Sequence, residues 1–337
     1  MTPKHLLFLS VFLIGLSSFA QTVRGIVLDA KTQAPIETAT VYFDNTTLGT
    51  ITDEHGKFSI AYSNAIQSPL VISFLGYKTQ LITDYRRKKS IEVFLIENPE
   101  DLGEVYISTD DEMSRRQKLK LFRRELLGTS DFGKSCTILN EDDIIIRYNK
   151  KERLLTAYSK APLQIENKAL QYLVSYDVTA FKLRLYNFSF NPFKTKSVGF
   201  YGTTFYKNLT IFNKKKAYKN RAKAYQGSRL QFMRALYANK LEERGYEIFS
   251  RKTKIYPQNY FNYFYLESKN NSDIKRLFIR QQLNVLYKRW EQSSIELLVP
   301  SIFIDYFGNY TNVDKVRFTG AMGEQRVGEL LPFDYGL

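Results

Sequence analysis

The sequence V-R-G-I-V-L-D at residues 23–29, followed by A-P-I-E-T-A-T-V-Y-F at residues 34–43, decides the fold of the first part of the chain. In the second segment, β-branched and aromatic residues at even positions from Thr38 to Tyr42 alternate with apolar residues at odd positions from Ala39 to Phe43. A period of two in such residues predicts half-buried β-strands. The polar residues 29–32 predict a connection between the two strands, and Pro35 fixes the chain direction before the second.

The flanking sequence continues the same pattern. G-T-I-T-D-E-H-G-K-F at residues 49–58 predicts a tight turn at residues 53–56, where Gly56 is free to adopt a positive φ angle, and a strand from residue 57. Apolar segments at residues 70–74 and 91–96 predict two further strands. Short strands spaced by about 8–12 residues, with turn residues between them, indicate a small antiparallel sandwich.

These segments, together with I-S-F-L-G-Y at residues 72–77, resemble the carboxypeptidase-regulatory-like domain. That family is a transthyretin-like β-sandwich common in envelope proteins of Gram-negative bacteria, where it often precedes the plug of TonB-dependent receptors. The family name records a domain found beside peptidases, so the resemblance implies no catalysis by the domain itself. We expect this domain to span residues 21–98.

The first 20 residues have the composition of a signal peptide. Lys4 and His5 form a short basic region, residues 6–16 are apolar, and S-F-A at residues 18–20 places small residues where signal peptidase reads. We therefore expect Gln21 to be the mature N-terminus, and an exported protein in the periplasm or associated with the outer membrane. The alternative is an N-terminal membrane anchor, although the apolar segment is short for a bilayer core of about 30 Å. No later segment has the length of uninterrupted apolar sequence that a transmembrane helix needs.

The chain is strongly basic. It has 49 Lys and Arg against 34 Asp and Glu, a formal net charge of +15, which falls to +14 when Lys4 leaves with the signal peptide. Such a charge favours anionic partners, and the expected ones are an envelope protein or an anionic glycan or lipid surface. Export argues against nucleic acid. The alternative is a soluble basic surface that has no partner.

A polar linker and a short strand are expected at residues 99–112. The segment L-G-E-V-Y-I-S at residues 102–108 resembles one that follows the same domain in TonB-dependent receptors, at or near the energy-coupling box. It is predicted to be a final edge strand, with TonB contact as the alternative. The candidate partner-contact residues are Leu102, Glu104, Val105, Tyr106 and Ile107.

Residues 113–337 predict a larger β-rich domain with two amphipathic helices. Ser114 is a suitable N-cap for a helix over residues 115–127, with Gly128 as its stop, and Ser228 for a second helix over residues 228–244. The basic faces of the first helix suit either an ordinary docked helix or one that lies on an anionic membrane. Four blocks of this region, at residues 119–128, 136–140, 226–237 and 326–335, resemble uncharacterised exported proteins that carry the same N-terminal domain.

Histidine and cysteine are too scarce for most hydrolytic chemistry. The histidines are His5, in the predicted signal peptide, and His55, in a predicted turn, which argues against a zinc carboxypeptidase and against a Ser-His-Asp triad. Cys136 is the single cysteine, so no intrachain disulfide forms, and a buried apolar environment is favoured over a reactive thiol. Asp53 with Asp44 suggests calcium, but an ordinary turn is favoured. We therefore predict no catalytic, metal-binding or cofactor-binding residues.

Carboxylate chemistry needs no histidine, so a glycosidase-like hydrolase stays open as an alternative. The available acidic clusters are residues 141–143 and residues 242–243, both of which are expected to be solvated. The fold class expected is mainly β (α+β), with the sandwich followed by the β-rich domain. The leading hypothesis is a non-enzymatic binding or scaffolding protein; the alternatives are a carboxylate-based hydrolase and an accessory of TonB-dependent outer-membrane transport.

Overall fold

The computed structural model describes residues 21–62, 67–98, 113–187, 189–268 and 274–336. The predicted signal peptide and the segment 99–112, with its candidate contact residues, lie outside these ranges. Strands make up 43% of the described residues and helices 21%, so the expected mainly β fold is confirmed. Within the described residues, no helix combines the length and the apolar character needed to cross a membrane.

The N-terminal part is a sandwich of two sheets. Its strands are β1 (Gln21–Asp29), β2 (Thr40–Phe43), β3 (Gly49–Ile51), β4 (Lys57–Tyr62), β5 (Leu70–Ser73), β6 (Gln80–Ile82) and β7 (Ile91–Leu95). One sheet has the order β4-β1-β7 and the other β3-β2-β5-β6. All pairs are antiparallel except β1 with β7, which are parallel. The predicted sandwich is confirmed, with this one parallel pair as a difference in detail.

Local sequence explains the sandwich core. Val23 and Val27 of β1 and Phe58 and Ile60 of β4 point inward at every second residue, and each is at most 5% exposed. The predicted turn at residues 53–56 forms, with Gly56 at φ +71°. A Cβ atom at Gly56 would lie 2.5 Å from the Val27 carbonyl oxygen, so both the conformation and the space require glycine.

A six-stranded antiparallel sheet follows. It comprises β8 (Cys136–Ile138), β9 (Ile144–Asn149), β10 (Leu154–Ser159), β11 (Leu163–Asn167), β12 (Tyr172–Leu185) and β13 (Thr195–Asn208). The order is β8-β11-β12-β10-β9, and β13 pairs along nearly the whole length of β12. Its core also includes helix α1 (Arg115–Leu127), whose Leu121, Phe122 and Leu126 are fully buried.

Helix α1 begins and ends where the sequence predicts. The Ser114 side chain accepts the Gln117 N–H, the Gln117 side chain accepts the Ser114 N–H, and Gly128 ends the helix at φ +93°. Its basic side is largely engaged by the protein, because Arg123 pairs with Glu141 and Arg115 donates to the carbonyl oxygens of residues 141 and 144. The helix is therefore docked on the sheet. A short helix α2 (Asp131–Lys134) follows it.

The remaining chain forms a third core. Helices α3 (Lys214–Tyr225) and α4 (Arg229–Tyr237) lead into β14 (Tyr246–Ser250), β15 (Thr253–Ile255), β16 (Phe264–Ser268), β17 (Ile274–Ile279), β18 (Leu283–Tyr287), β19 (Glu291–Leu297), β20 (Ile302–Asp305) and β21 (Val316–Thr319), with α5 (Gly320–Gly323) after them. The sheets have the orders β15-β14-β18-β19-β21 and β16-β17-β20. Buried side chains from both sheets share one cluster with those of α4.

One helix expectation in this region is wrong in its extent, and one helix is additional to those expected. The helix predicted over residues 228–244 ends at Tyr237, because Asn239 takes a left-handed conformation (φ +55°) and the Lys240 N–H bonds back to the Ala235 carbonyl. Helix α3 was not expected at all. Its buried face consists of Ala217 and Ala224, so the apolar stripe that marks an amphipathic helix is missing from its sequence.

The sandwich is joined to the second region by a docking loop, residues 44–48, between β2 and β3. The Asn45 N–H donates to the Thr204 carbonyl (2.7 Å), and the Tyr206 N–H donates to the Thr46 carbonyl (3.1 Å). On the other side of the loop, the Phe333 N–H donates to the Asn45 carbonyl (2.6 Å). The loop thus extends the edge of β13 and also holds the C-terminal segment.

Side chains reinforce this junction. The Tyr42 ring stacks on Phe205 with centroids 5.0 Å apart, and the Tyr42 and Thr203 hydroxyls hydrogen-bond at 2.8 Å. Phe307 belongs to the buried core of the sandwich, although it lies far from the sandwich in sequence. The sandwich and the second region are consequently packed through apolar contacts as well as backbone hydrogen bonds.

Candidate functional site

A cleft of about 510 Å³ lies where the end of α4 meets the C-terminal segment. Its lining combines aromatic and cationic side chains. The lining residues are Tyr225, Gln231, Arg234, Ala235, Tyr237, Ala238, Lys240, Arg244, Tyr306, Tyr335 and Gly336. We call it the tyrosine cleft. Its volume falls within the roughly 300–1,000 Å³ of typical ligand sites.

The early end of α4 places two of the cations. After Tyr237 the chain reverses at Asn239, and the N–H groups of Asn239 and Lys240 close the helix by bonding to carbonyls of the last turn. This turn brings Lys240 and Arg244 to the rim of the cleft, where both are exposed. The continuous helix expected from the sequence would have carried these side chains in other directions.

Arg234 fixes the wall opposite α4. Its guanidinium donates to the carbonyl oxygens of Phe307 (3.0 Å), Phe333 (2.8 Å) and Tyr335 (2.8 Å). A single planar side chain therefore holds the C-terminal segment against α4. Since its donors are used in this way, Arg234 contributes positive charge to the cleft more than free hydrogen-bonding capacity.

The tyrosines form one tilted pair and one T-shaped pair around the cleft. The Tyr225 and Tyr335 rings have centroids 5.5 Å apart, and those of Tyr237 and Tyr306 are 6.2 Å apart in a T-shaped arrangement. Tyr306 is 49% exposed, so about half of this side chain is accessible to a ligand. Outside the lining, the Lys275 ammonium lies 4.2 Å from the Tyr237 ring centroid and donates to the Tyr237 carbonyl at 2.7 Å.

The electrostatics of the cleft favour an anion. Lys240 has an exposed pairing with Glu243 at 3.6 Å, which solvent screens. Asp305, which interacts with Arg234, is only 2% exposed, and burial raises its pKa to about 7. A carboxyl group with such a pKa is partly neutral near pH 7 and offsets little of the positive charge. Burial also raises the pKa of Tyr335, which keeps its hydroxyl protonated as a donor.

This arrangement is suited to binding. Flat tyrosine faces pack on apolar ring faces, hydroxyls supply hydrogen bonds, and the cations Lys240 and Arg244 attract negative groups. The lining contains no histidine, cysteine or carboxylate side chain that could serve as a nucleophile or general base.

The sequence-predicted acidic clusters do not join the cleft lining. Glu141 is paired with Arg123, and the Asp143 carboxylate accepts the Asn140 side-chain N–H at 2.7 Å. Glu243 is exposed beside Lys240. Leu102, Glu104, Val105, Tyr106 and Ile107 lie outside the described residues, so their contact role stays a prediction.

The other candidate residues are held by local contacts. The Asp53 carboxylate accepts the N–H groups of residues 55 and 57 in its own turn, which lowers its pKa, whereas the Asp44 carboxylate accepts the Thr204 N–H at 2.8 Å. They therefore have separate partners. Burial raises the pKa of the Cys136 thiol to about 12, so it stays protonated. Within the described ranges, no group of three or more His, Cys, Asp or Glu residues is arranged to hold a metal ion.

Sequence reasoning missed the tyrosine cleft. Its members come from α3, α4, the turn after α4, the residue after β20 and the C-terminal segment. No local spacing links these positions. The usable signal was the basic, tyrosine-rich composition of the whole chain, which indicates a class of partner without giving a location.

Comparison with known proteins gives one family match. No curated protein matches the chain. Among solved structures, a C-terminal interface mutant of a type II cohesin-X-dockerin complex from Acetivibrio cellulolyticus is 25% identical over 22% of this chain and 56% of its own (TM-score 0.19). A 9R-lipoxygenase from Cyanothece PCC8801 is 10% identical over 66% and 49% (TM-score 0.20). A protein of unknown function from Bacteroides fragilis NCTC 9343 is 10% identical over 84% and 92% (TM-score 0.19).

The chain thus spans about half the length of the first two of these structures. The family model of the CarboxypepD_reg-like domain matches residues 23–107. This match covers the strand segments from which the resemblance was inferred, and the domain it describes is a non-catalytic β-sandwich. Residues 23–107 are therefore a carboxypeptidase-regulatory-like domain, followed by a second β-rich region.

Proposed function

We propose that this protein is a non-enzymatic, exported cell-envelope protein that binds an anionic glycan in the tyrosine cleft. The observation that carries the proposal is the cleft itself, in which exposed Lys240 and Arg244 lie beside the tyrosines. Sugar rings present apolar faces that pack on aromatic rings, and uronic or sulfated sugars add the negative charge that the cations attract.

The rest of the chain supports this reading. The net charge of +15 favours an anionic partner, and the matched domain at residues 23–107 is non-catalytic. The docking loop connects that domain to β13 and to the C-terminal segment that walls the cleft. In this proposal the sandwich supports the binding region, and export follows from the signal-peptide composition of residues 1–20.

Calorimetric titration of the mature chain tests the binding proposal. The probes are an oligogalacturonate and an uncharged malto-oligosaccharide of the same number of sugar units. We expect the anionic probe to bind at least about tenfold more tightly, with an affinity that falls as salt is raised, because screening weakens exposed charge pairs.

Substitutions locate the binding in the cleft. Tyr306→Ala removes the exposed ring and Lys240→Gln removes a rim charge, and each is expected to weaken oligogalacturonate binding by about tenfold. Tyr186→Ala is the control, since Tyr186 is 56% exposed and lies outside the cleft lining. Equal binding of both probes, or equal loss with Tyr186→Ala, would overturn the proposal.

Export has its own test. The full chain, expressed in a Gram-negative host, is fractionated and its N-terminus is sequenced. We expect an envelope fraction that begins at Gln21. A cytoplasmic product that retains Met1 would contradict the export half of the proposal and leave the glycan titration intact.

A further inference from the structure

A second cavity, of about 320 Å³, lies where side chains of the three largest hydrophobic clusters among the described residues, or residues packed against them, come together. We call it the junction cavity. Its walls come from the docking loop, strands β12 and β13, the start of α4, the segment after β20 and the C-terminal segment. The lining residues are Asn45, Tyr176, Phe200, Tyr201, Gly202, Thr204, Ala224, Ser228, Arg229, Leu230, Gly308, Tyr310, Val313, Gln325, Val327, Glu329, Leu330, Leu331 and Phe333.

The lining is mostly apolar, and no residue lines both this cavity and the tyrosine cleft. Phe200, Leu230, Val327 and Leu331 supply much of the surface. Tyr201 and Val313 are 49% and 56% exposed, so the cavity opens to solvent beside them. A volume of 320 Å³ corresponds to about ten water molecules at roughly 30 Å³ each, which is room for one short hydrocarbon chain.

One cation stands out in this apolar lining. Arg229 is half-buried, and its backbone N–H is used by the Gln325 side chain at 2.9 Å. Among the described residues, the Arg229 guanidinium forms no ion pair with a carboxylate. A second guanidinium, that of Arg326, lies near enough to act on it electrostatically. A half-buried cation without a counter-charge is unfavourable and attracts an anion.

The one carboxylate in the lining does not neutralise Arg229. Glu329 accepts the Arg326 backbone N–H at 3.0 Å and so caps the turn at residues 326–329. It interacts with Arg326 rather than pairing with Arg229. Arg326 also has Glu125 at 3.9 Å and Glu324 near it, so its charge is offset by its own carboxylates. Among the described residues, Arg229 is therefore the cation of this wall that has no ion pair with a carboxylate.

We propose that the junction cavity binds a single-chain anionic amphiphile, with the hydrocarbon chain in the apolar cavity and the anionic head on Arg229. An apolar pocket with one convergent charge fixes the orientation of such a ligand. The size excludes a two-chain lipid enclosed whole. The ligand is either a free fatty acid or one acyl chain of an anionic membrane lipid, since both combine a chain with a negative head.

Calorimetry with decanoate and decanol, at concentrations where both are monomeric, tests the charge requirement. We expect the mature protein to bind decanoate at least about tenfold more tightly than decanol. Arg229→Gln should lower decanoate affinity to the decanol level and leave decanol binding unchanged, whereas Arg229→Lys should keep most of the preference. Arg116→Gln, an exposed arginine outside the cavity, should change neither.

Val313→Trp, at the open side, should reduce binding of both probes, which keeps the proposal testable if Arg229→Gln does not fold.

Sedimentation with phosphatidylglycerol vesicles then distinguishes the two sources of the ligand. Vesicle binding that Val313→Trp removes assigns a membrane lipid, and decanoate binding alone assigns a free acid. Tyr306→Ala should leave decanoate binding unchanged, so this proposal stands or falls apart from the glycan proposal. Absence of decanoate binding, or equal affinity for decanoate and decanol, would overturn it.

Discussion

The two ends of the N-terminal sandwich place their aspartates in opposite environments. At one end, the Asp29 carboxylate accepts N–H groups from residues 31 and 32 and the Tyr77 hydroxyl, and its pKa is lowered to about 2, chiefly by the Thr32 N–H. At the other end, the docking loop carries Asp44 against β13. That carboxyl keeps some surface exposed, yet its removal from water raises its pKa to about 6.

This difference shows which polar groups of the sandwich find their hydrogen-bond partners within it and which find them in the second region. The free turn, residues 53–56, satisfies its own backbone groups through Asp53 and Gly56. The docking loop instead needs Thr204, Tyr206 and Phe333 for its hydrogen bonds. Perturbing each end in turn shows whether the two ends are as independent as their contacts indicate.

The largest effect is expected at the docked end from Phe205→Ala. The Phe205 ring is 5% exposed and forms a buried cluster with Tyr42 and Val71. Its removal leaves a cavity between the two regions and should lower the free energy of unfolding by about 3–5 kcal/mol in urea titration. Phe193→Ala, at an 89% exposed ring, is the control and should change little. A loss below about 1 kcal/mol would show that the junction contributes little to folding.

The second effect is a pH dependence of one sign at Asp29 and of the opposite sign at Asp44 of the docking loop and Asp305 of β20. Asp44 and Asp305 have folded pKa values raised to about 6 and about 7, mainly by burial, so the folded state holds their protons more tightly than the unfolded state. Their favourable contribution is complete below about pH 4 and is lost as pH rises through about 6 to 7. Asp29, with its lowered pKa, contributes above about pH 4 and loses that contribution as pH falls toward 2.

Asparagine variants of Asp305 and Asp29 measure the two pH-dependent contributions to stability separately. The unfolding free energy of the parent chain should fall between about pH 4 and about pH 8. Asp305→Asn should remove on the order of 2 kcal/mol of that fall, because an asparagine at position 305 has no proton to release. Asp29→Asn should instead flatten the acid side of the profile. Urea unfolding across pH gives both, and an Asp305→Asn profile parallel to that of the parent chain would contradict the assignment.

An effect of similar size is expected at the free end from Gly56→Ala. The added Cβ atom meets the Val27 carbonyl oxygen at 2.5 Å in a residue with φ +71°, which should lower stability by about 2–3 kcal/mol. Gly76→Ala is a matched control, because Gly76 has φ +83° and open space around its Cβ position. It should lose only about 1 kcal/mol, and equal losses in thermal unfolding would show that the close contact is irrelevant.

The smallest effect is expected where the docking loop meets solvent. The Asp334 carboxylate accepts the Thr47 N–H at 3.0 Å and the Thr47 hydroxyl in an exposed position. Asp334→Ala should lower the free energy of unfolding by about 0.5–1 kcal/mol. Asp142→Ala, an exposed control, should leave it unchanged. A loss comparable with that of Phe205→Ala would mean that this polar contact governs docking.

Local sequence predicted the parts of the fold whose contacts are local. Ser114, Gly128 and Gly56 act within a few residues of themselves, and all three lie as expected. Tyr42 shows the limit of this reasoning. Alternation placed it on the face of β2 opposite Val41 and Phe43 and gave that face no partner, yet Tyr42 is only 4% exposed, because Phe205 covers it from more than 160 positions away. No pattern within β2 contains that information.

The same limit applies to helices and to the cleft. Leu241 fits the helical spacing that begins at Leu230, but it is buried after the chain has turned at Asn239. Periodicity reports which side chains are buried and does not report the path of the backbone between them. The tyrosine cleft depends on that path, so the sequence predicted a basic binding protein without predicting this cleft.

The position of Phe307 in the chain determines when the core of the sandwich can be completed during protein synthesis. The core of a domain whose last strand ends at Leu95 includes a ring that is synthesised 212 residues later. At about 5–20 residues per second, a ribosome takes roughly 10–40 s to cover that distance. Through this interval the nascent sandwich lacks one of its core side chains, which keeps the early chain easier to unfold until Phe307 has been synthesised.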